Sequence, residues 1–226
     1  LSAGDGFAII PPFIEERNFC MLRVYGSPMS RAGRVLWTLE ELEQPYELKA
    51  LDIRAGEQRS PEFLKINPAG KVPTLQDDDF VLMESAAICQ YLAEKFKDKG
   101  LQPAAGSHEH ARGQQWTFYA VTELEPPIWL AFLHKQHLPE PARIQQMVIQ
   151  GEVDFNRALK VLADHLERND YVNGKNFSVA DIVVSSIVGW GTSMFPDTKT
   201  PPIQAYLDRL HARPAYKRYR ERYSKN

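Results

Sequence analysis

The chain has 226 residues, 43% hydrophobic and 25% charged, a globular composition that excludes a disordered or collagen-like protein and allows one large domain or two small ones. Lys and Arg total 27 against 29 Asp and Glu, so a net charge of -2 supplies no basic field, and no nucleic-acid partner is expected. Two cysteines, Cys20 and Cys89, make no disulfide framework or zinc spacing, which points to a reducing, cytoplasmic setting without a metal.

Residues 1–20 read as an extension, disordered or accessory, with neither the basic start nor the cleavage site of a signal peptide. Leu22 to Tyr25 reads as a strand, and Gly26-Ser27-Pro28-Met29-Ser30 as a turn into a helix carrying Val35, Leu36, Leu39 and Leu42 on one face. Gln44-Pro45 stops that helix, Tyr46 to Leu51 gives a second strand, and Phe63 and Leu64 sit in a short helical turn. Val72 to Leu75 and Val81 to Met83 flank Asp77-Asp78-Asp79 as a hairpin, followed by a helix with Ile88, Leu92 and Phe96 inward. The order is βαβαββα.

Residues 103–107 read as a linker, after which strand patterns stop. Trp116, Tyr119 and Leu124 mark a helix expected to break at Pro126-Pro127, and Ile144 to Leu166 marks a long one. Ser178-Val-Ala-Asp181 is a capping box opening an apolar segment through Trp190, expected to be the central helix of a bundle. Ile203 to Leu210 and a basic tail, Arg213 to Lys225, complete the chain. The expected fold is therefore α/β plus all-α: a thioredoxin-like domain over 21–102 and an all-helical domain over 108–226. No apolar run approaches the roughly 18 residues that span a bilayer, so no membrane partner is expected.

In a thioredoxin-like unit the first turn presents a reactive group at a helix N-terminus. Ser27-Pro28-Met29-Ser30 resembles a glutaredoxin Cys-Pro-x-Cys with both sulfurs replaced by oxygen, so dithiol exchange is unavailable and the sulfur must come with a ligand. Four stretches in this order, Ser30 to Leu42, Asn67 to Pro73, Glu84 to Ile88 and Ser178 to Asp181, resemble the cytosolic glutathione transferases, serine-type and bacterial-like, over about 205 residues from Leu22 onward.

The resemblance implies glutathione as co-substrate, a hydrophobic electrophile held by the helical domain, and a homodimer. It implies a hydroxyl that stabilises the thiolate. Ser30 matches the family's serine, while Ser27 before Pro28 could take that place or be the N-cap, and both stay open. Tyr25 is less favoured because strand alternation can bury it. The resemblance further implies a cis bond at Val72-Pro73 whose valine pairs with the cysteinyl part of glutathione, Glu84 and Ser85 at the γ-glutamyl end, and Gln58, Arg59 and Lys71 near the glycyl end, where relatives often carry His and Lys in place of Gln58 and Arg59.

Met29, Trp116 and Tyr119, with Trp129, are candidates for the electrophile pocket, although rings at helical spacing also suit a core. His108-Glu-His110 reads as a solvated turn rather than a metal site, and Cys89 as a packed thiol. On the same fold, a glutathione-dependent peroxidase or disulfide reductase and a noncatalytic binding module are the alternatives.

Overall fold

A computed structural model describes residues 21–223. The readings on residues 1–20, Cys20 included, and on the end of the basic tail lie outside the described residues.

Strand β1 (Leu22–Gly26) places Leu22, Val24 and Gly26 on the buried side by simple alternation. It pairs parallel with β2 (Tyr46–Ala50) through the crossover helix α1 (Ala32–Leu42), and antiparallel with β3 (Thr74–Asp77), which turns into β4 (Phe80–Met83). The sheet order β2-β1-β3-β4 is the thioredoxin-like one. Helix α2 (Pro61–Ile66) lies in the crossover to β3, and α3 (Ser85–Lys95) follows β4 and packs beside α1. Val24, Val35, Leu36, Leu39, Leu75, Ile88 and Leu92 are fully buried between sheet and helices, each contributing about 1.5–3 kcal/mol.

From residue 108 onward the described chain is helical: α4 (His108–Tyr119), α5 (Glu125–Phe132), α6 (Gln145–Leu166), α7 (Val179–Met194), α8 (Pro201–His211) and α9 (Pro214–Tyr223). Helix α7 is the central one. The Asp181 carboxylate in its first turn accepts from the N–H groups of Ser178 and Val172, each at 2.9 Å, and from the Tyr206 hydroxyl at 3.0 Å, which fixes where the helix starts.

The expected break at Pro126-Pro127 does not occur. Helix α4 passes through a wide π turn, Ala120–Leu124, into α5, with right-handed helical angles at Ala120 and Glu125. The prolines follow at the start of α5, and the wider π turn just before them takes up the place where their rings and missing N–H groups would disrupt a regular ladder. One long rod results, and its second half stands over the N-terminal end of α1.

Candidate active site

The turn between β1 and α1 is built on hydroxyl and backbone bonds. Ser30 Oγ donates to the Ser27 carbonyl at 2.6 Å and accepts from the Ala32 N–H at 3.1 Å. Ser27 Oγ accepts only a long contact, 3.4 Å, from the Met29 N–H. Helix α1 starts at Ala32, so Ser30, not Ser27, meets its first free amide, and Pro28 lies in the turn before the helix rather than in its first position. Gly26 ends β1 with φ 149°, and a Cβ there would lie 2.8 Å from Ala32 Cβ, 3.3 Å from Val72 Cβ and 3.8 Å from Ser30 Oγ. Only a glycine lets the serine turn and the Val72 loop approach this closely.

Val72-Pro73 is a cis peptide. Its loop is braced by Asn67, fully buried, whose amide donates to the Lys71 carbonyl at 2.9 Å and to Thr74 Oγ1 at 3.0 Å, while its oxygen accepts from the Ala69 N–H. Gln58 and Arg59 stand against the Gly70 turn just before Lys71. Arg59 and Lys71 are exposed, and Gln58 Oε1 is buried without a protein partner.

Glu84 and Ser85 head α3. Glu84 is exposed and adopts φ 70°, ψ 110°, a conformation that costs a non-glycine residue about 1–3 kcal/mol and is held where geometry matters. Ser85 is buried, and its hydroxyl accepts from Arg34 Nη1 at 3.0 Å. Arg34, also buried, bonds both oxygens of Glu125, from Nη2 at 2.7 Å and Nη1 at 3.3 Å, and its Nε reaches Ser186 Oγ at 3.2 Å. Arg31 Nε joins Glu125 Oε1 at 2.6 Å. Burial pushes the Glu125 carboxyl up, but Arg34 and Arg31 outweigh burial and hold it below its usual range. Two guanidiniums on one carboxylate leave surplus positive charge beside Ser30.

The Arg31 guanidinium also lies over Trp129 and Trp190, at 5.2 and 5.6 Å from the ring centroids. Trp129 stacks on Phe132 at 5.6 Å, and Phe132 meets Trp190 edge-on at 5.8 Å. These three rings, from α5 and α7, form an aromatic wall joined to the serine turn through Arg31. Trp116 and Tyr119 are not part of it: their partners are each other, His165 and the Ala158 carbonyl, so they fill the packing between α4 and α6. Met29 sits on the turn but is 76% exposed.

Tyr25 spends its hydroxyl on Gln76 Oε1 at 2.9 Å, within the sheet. Cys89 is fully buried, and burial pushes its thiol up to about 11. His108 and His110 lie in the first turn of α4, with His110 Nε2 3.7 Å from Glu94. Arg34, Glu125 and Asn67 are the supporting residues sequence reading did not assign. Arg34 and Asn67 stood inside quoted motifs, whereas Glu125 gave no signal beyond an acid in an apolar stretch.

A family model described as Glutathione S-transferase, N-terminal domain, matches residues 21–94, and one described as Glutathione S-transferase, C-terminal domain, matches residues 123–214. The chain is 37% identical over 170 residues to Glutathione S-transferase hmp2 of Hypomyces subiculosus, spanning 72% of this chain and 78% of that protein. It is 32% identical over 203 residues to the disulfide-bond oxidoreductase YfcG of Escherichia coli, spanning 86% and 92%. A glutathione transferase of Phanerochaete chrysosporium, solved in complex with oxidized glutathione, superposes with a TM-score of 0.82 at 26% identity, covering 91% of this chain and 97% of that one.

Proposed function

The chain belongs to the glutathione S-transferase family, and on that premise we propose that it ionises the thiol of glutathione at Ser30 and directs the sulfur at a hydrophobic electrophile. The observation that carries this reading is the state of the Ser30 hydroxyl. Its oxygen accepts from the Ala32 N–H, which polarises the O–H, and its proton rests on the neutral Ser27 carbonyl. Swinging that proton onto a thiolate exchanges a neutral acceptor for a charged one. Holding a thiol two units below its free value of about 8.5 needs about 2.7 kcal/mol. A hydrogen bond to a charged partner supplies roughly 1.5–3 kcal/mol, and the surplus positive charge of the Arg31–Glu125–Arg34 group adds to it.

Glutathione lies along the domain in this reading. Val72 offers its backbone to the cysteinyl unit, Glu84 takes the γ-glutamyl ammonium, Ser85 takes its carboxylate, and Gln58, Arg59 and Lys71 serve the glycyl end. The electrophile lies against Trp129, Phe132 and Trp190. With an aryl halide the thiolate adds to the ring carbon and halide leaves with the electron pair; no covalent enzyme intermediate forms. The proposal extends to detoxification in the cytoplasm by a homodimer, for which the exposed Phe80 and Met83 of edge strand β4 offer apolar surface. Among the described residues no helix is long and apolar enough to cross a membrane.

The likeness to a disulfide-bond oxidoreductase favours a second reading at the same site. There the thiolate attacks a substrate disulfide, one thiolate leaves, and a second glutathione thiolate releases the other as oxidised glutathione forms. A panel of aryl halides, enals, hydroperoxides and a mixed disulfide, each with glutathione, tests both. Thioether formation with halide release supports conjugation, oxidised glutathione from the disulfide alone supports reduction, and turnover of neither overturns the enzyme reading.

A further inference from the structure

The C-terminal helix reaches the serine turn through one side chain. Tyr219 of α9 is buried, and its hydroxyl donates to the Pro28 carbonyl at 2.9 Å. Burial holds its phenol above the ordinary value, so it remains a proton donor at physiological pH. The contact is anchored on both sides. Just ahead of α9, Arg213 forks onto Glu41 at 2.7 and 2.8 Å; within it, Arg218 Nη2 donates to the Glu40 carbonyl at 2.9 Å; at its end, the Tyr223 hydroxyl meets that of Tyr46 at 3.1 Å. Space for the bond comes from Gly33, where a Cβ would lie 2.5 Å from Tyr219 Oη and 2.8 Å from the Pro28 oxygen.

The Pro28 carbonyl and the Met29 N–H are the two ends of one planar peptide unit, so fixing the first sets the direction of the second. Among the described residues that N–H has only the 3.4 Å contact to Ser27 Oγ, a bond too long to hold it. A peptide already bonded through its carbonyl is the stronger donor through its nitrogen. We propose that Tyr219 is a positioning residue of the thiolate site: through the Pro28 carbonyl it holds the 27–30 turn so that the Ser30 hydroxyl and the Met29 N–H face the sulfur. This rests on the reading that the thiolate forms at this turn.

Tyr219→Phe tests it, by amide hydrogen exchange on the unliganded protein and by ultraviolet titration of the bound thiol. Exchange at Ser30, whose N–H donates to the Ser27 carbonyl at 2.9 Å, should rise about 5-fold or more while α8 amides keep their rates. The bound thiol's pKa should rise by about half a unit with glutathione affinity unchanged within about 2-fold, so that turnover falls about 2-fold near pH 6.5, about 3-fold further below it, and recovers near pH 9. Gly33→Ala should shift the thiol in the same direction, with a smaller increment when Tyr219 is already Phe. Wild-type exchange together with a wild-type thiol titration in Tyr219→Phe would overturn the proposal. If instead Ser30→Ala leaves the titration untouched while Tyr219→Phe loosens the turn, the thiolate reading fails and the positioning of the turn by Tyr219 stands.

Discussion

Arg34 of α1 donates across 3.0 Å to the hydroxyl of Ser85, the residue that heads α3. The same guanidinium grips both oxygens of Glu125 in the helical domain, so one buried side chain ties the residue proposed for the γ-glutamyl carboxylate to the rod above it. Ser85 keeps its own hydroxyl proton for a ligand because its oxygen is the acceptor in this bond.

Arg34→Met should therefore act on both stability and glutathione binding. Leaving Glu125 with the part-exposed Arg31 alone costs about 3 kcal/mol in unfolding free energy, the scale for removing one partner of a buried pair. Affinity for glutathione should fall by about 1–3 kcal/mol as Ser85 loses its anchor. Denaturant unfolding and calorimetry on the same variant check both; unchanged affinity would mean Ser85 binds without support from α1.

The Glu125 cluster also sets an acid limit. The two arginines hold this carboxyl below its ordinary 4.5, so its stabilisation is complete above that value and is lost as pH falls through the lower folded value. Glu125→Gln should lower the melting temperature at pH 7, and the gap to wild type should stay constant down to about pH 5 and narrow as pH falls below 4.5 through the lower folded value. A gap that persisted at low pH would assign the effect to shape rather than charge.

Much of this site is written in local sequence. Leu22 to Tyr25 alternates and Ser178 and Asp181 carry a capping box, so short-range rules reach these features, whereas the cis bond at Val72-Pro73 is expected only through the family resemblance of Asn67 to Pro73. Four features escaped for physical reasons. The favourable first position of a helix draws attention to Pro28, yet α1 begins four residues later because Ser30 captures the Ala32 amide. Pro126-Pro127 reads as a break because the π turn that accommodates it has no sequence signature. Periodicity shows that Trp116 and Trp129 lie on helices but not what faces them, and only the packing puts Trp116 on His165 and Trp129 under Arg31. Pairing of Arg34 with Glu125 spans 91 positions, beyond any local pattern.

Trp129→Ala should separate the two substrates. The ring touches Arg31, Phe132 and Trp190 and none of the residues proposed for glutathione, so KM for an aryl halide should rise about 5- to 10-fold while KM for glutathione moves less than about 2-fold. Trp116→Ala should instead cost about 3–5 kcal/mol of stability as a core deletion. Steady-state kinetics with each substrate varied, beside thermal melts, distinguishes the two tryptophans; a Trp129→Ala enzyme with unaltered acceptor KM would remove this wall from the pocket.

The two serines of the turn make opposite predictions. If Ser30 donates to the sulfur, Ser30→Ala removes a charge-assisted bond worth about 1.5–3 kcal/mol, which raises the bound thiol's pKa by roughly one to two units. Turnover at neutral pH should fall about 3- to 25-fold and recover as pH rises, while glutathione affinity at low pH, where the thiol is neutral in both proteins, changes little. The variant also loses the bond to the Ala32 amide, so a cost of about 1 kcal/mol in stability accompanies it and is measured separately by denaturation. Ser27→Ala removes only an acceptor 3.4 Å from the Met29 N–H and should leave the titration near wild type. Ser30→Cys gives a further check, because a thiol at a helix N-terminus ionises readily and, with oxidised glutathione, exchanges to a protein–glutathione disulfide and one released glutathione thiolate. Mass spectrometry reads that adduct. Its absence, with Ser27→Ala shifting the titration, would transfer the role to Ser27.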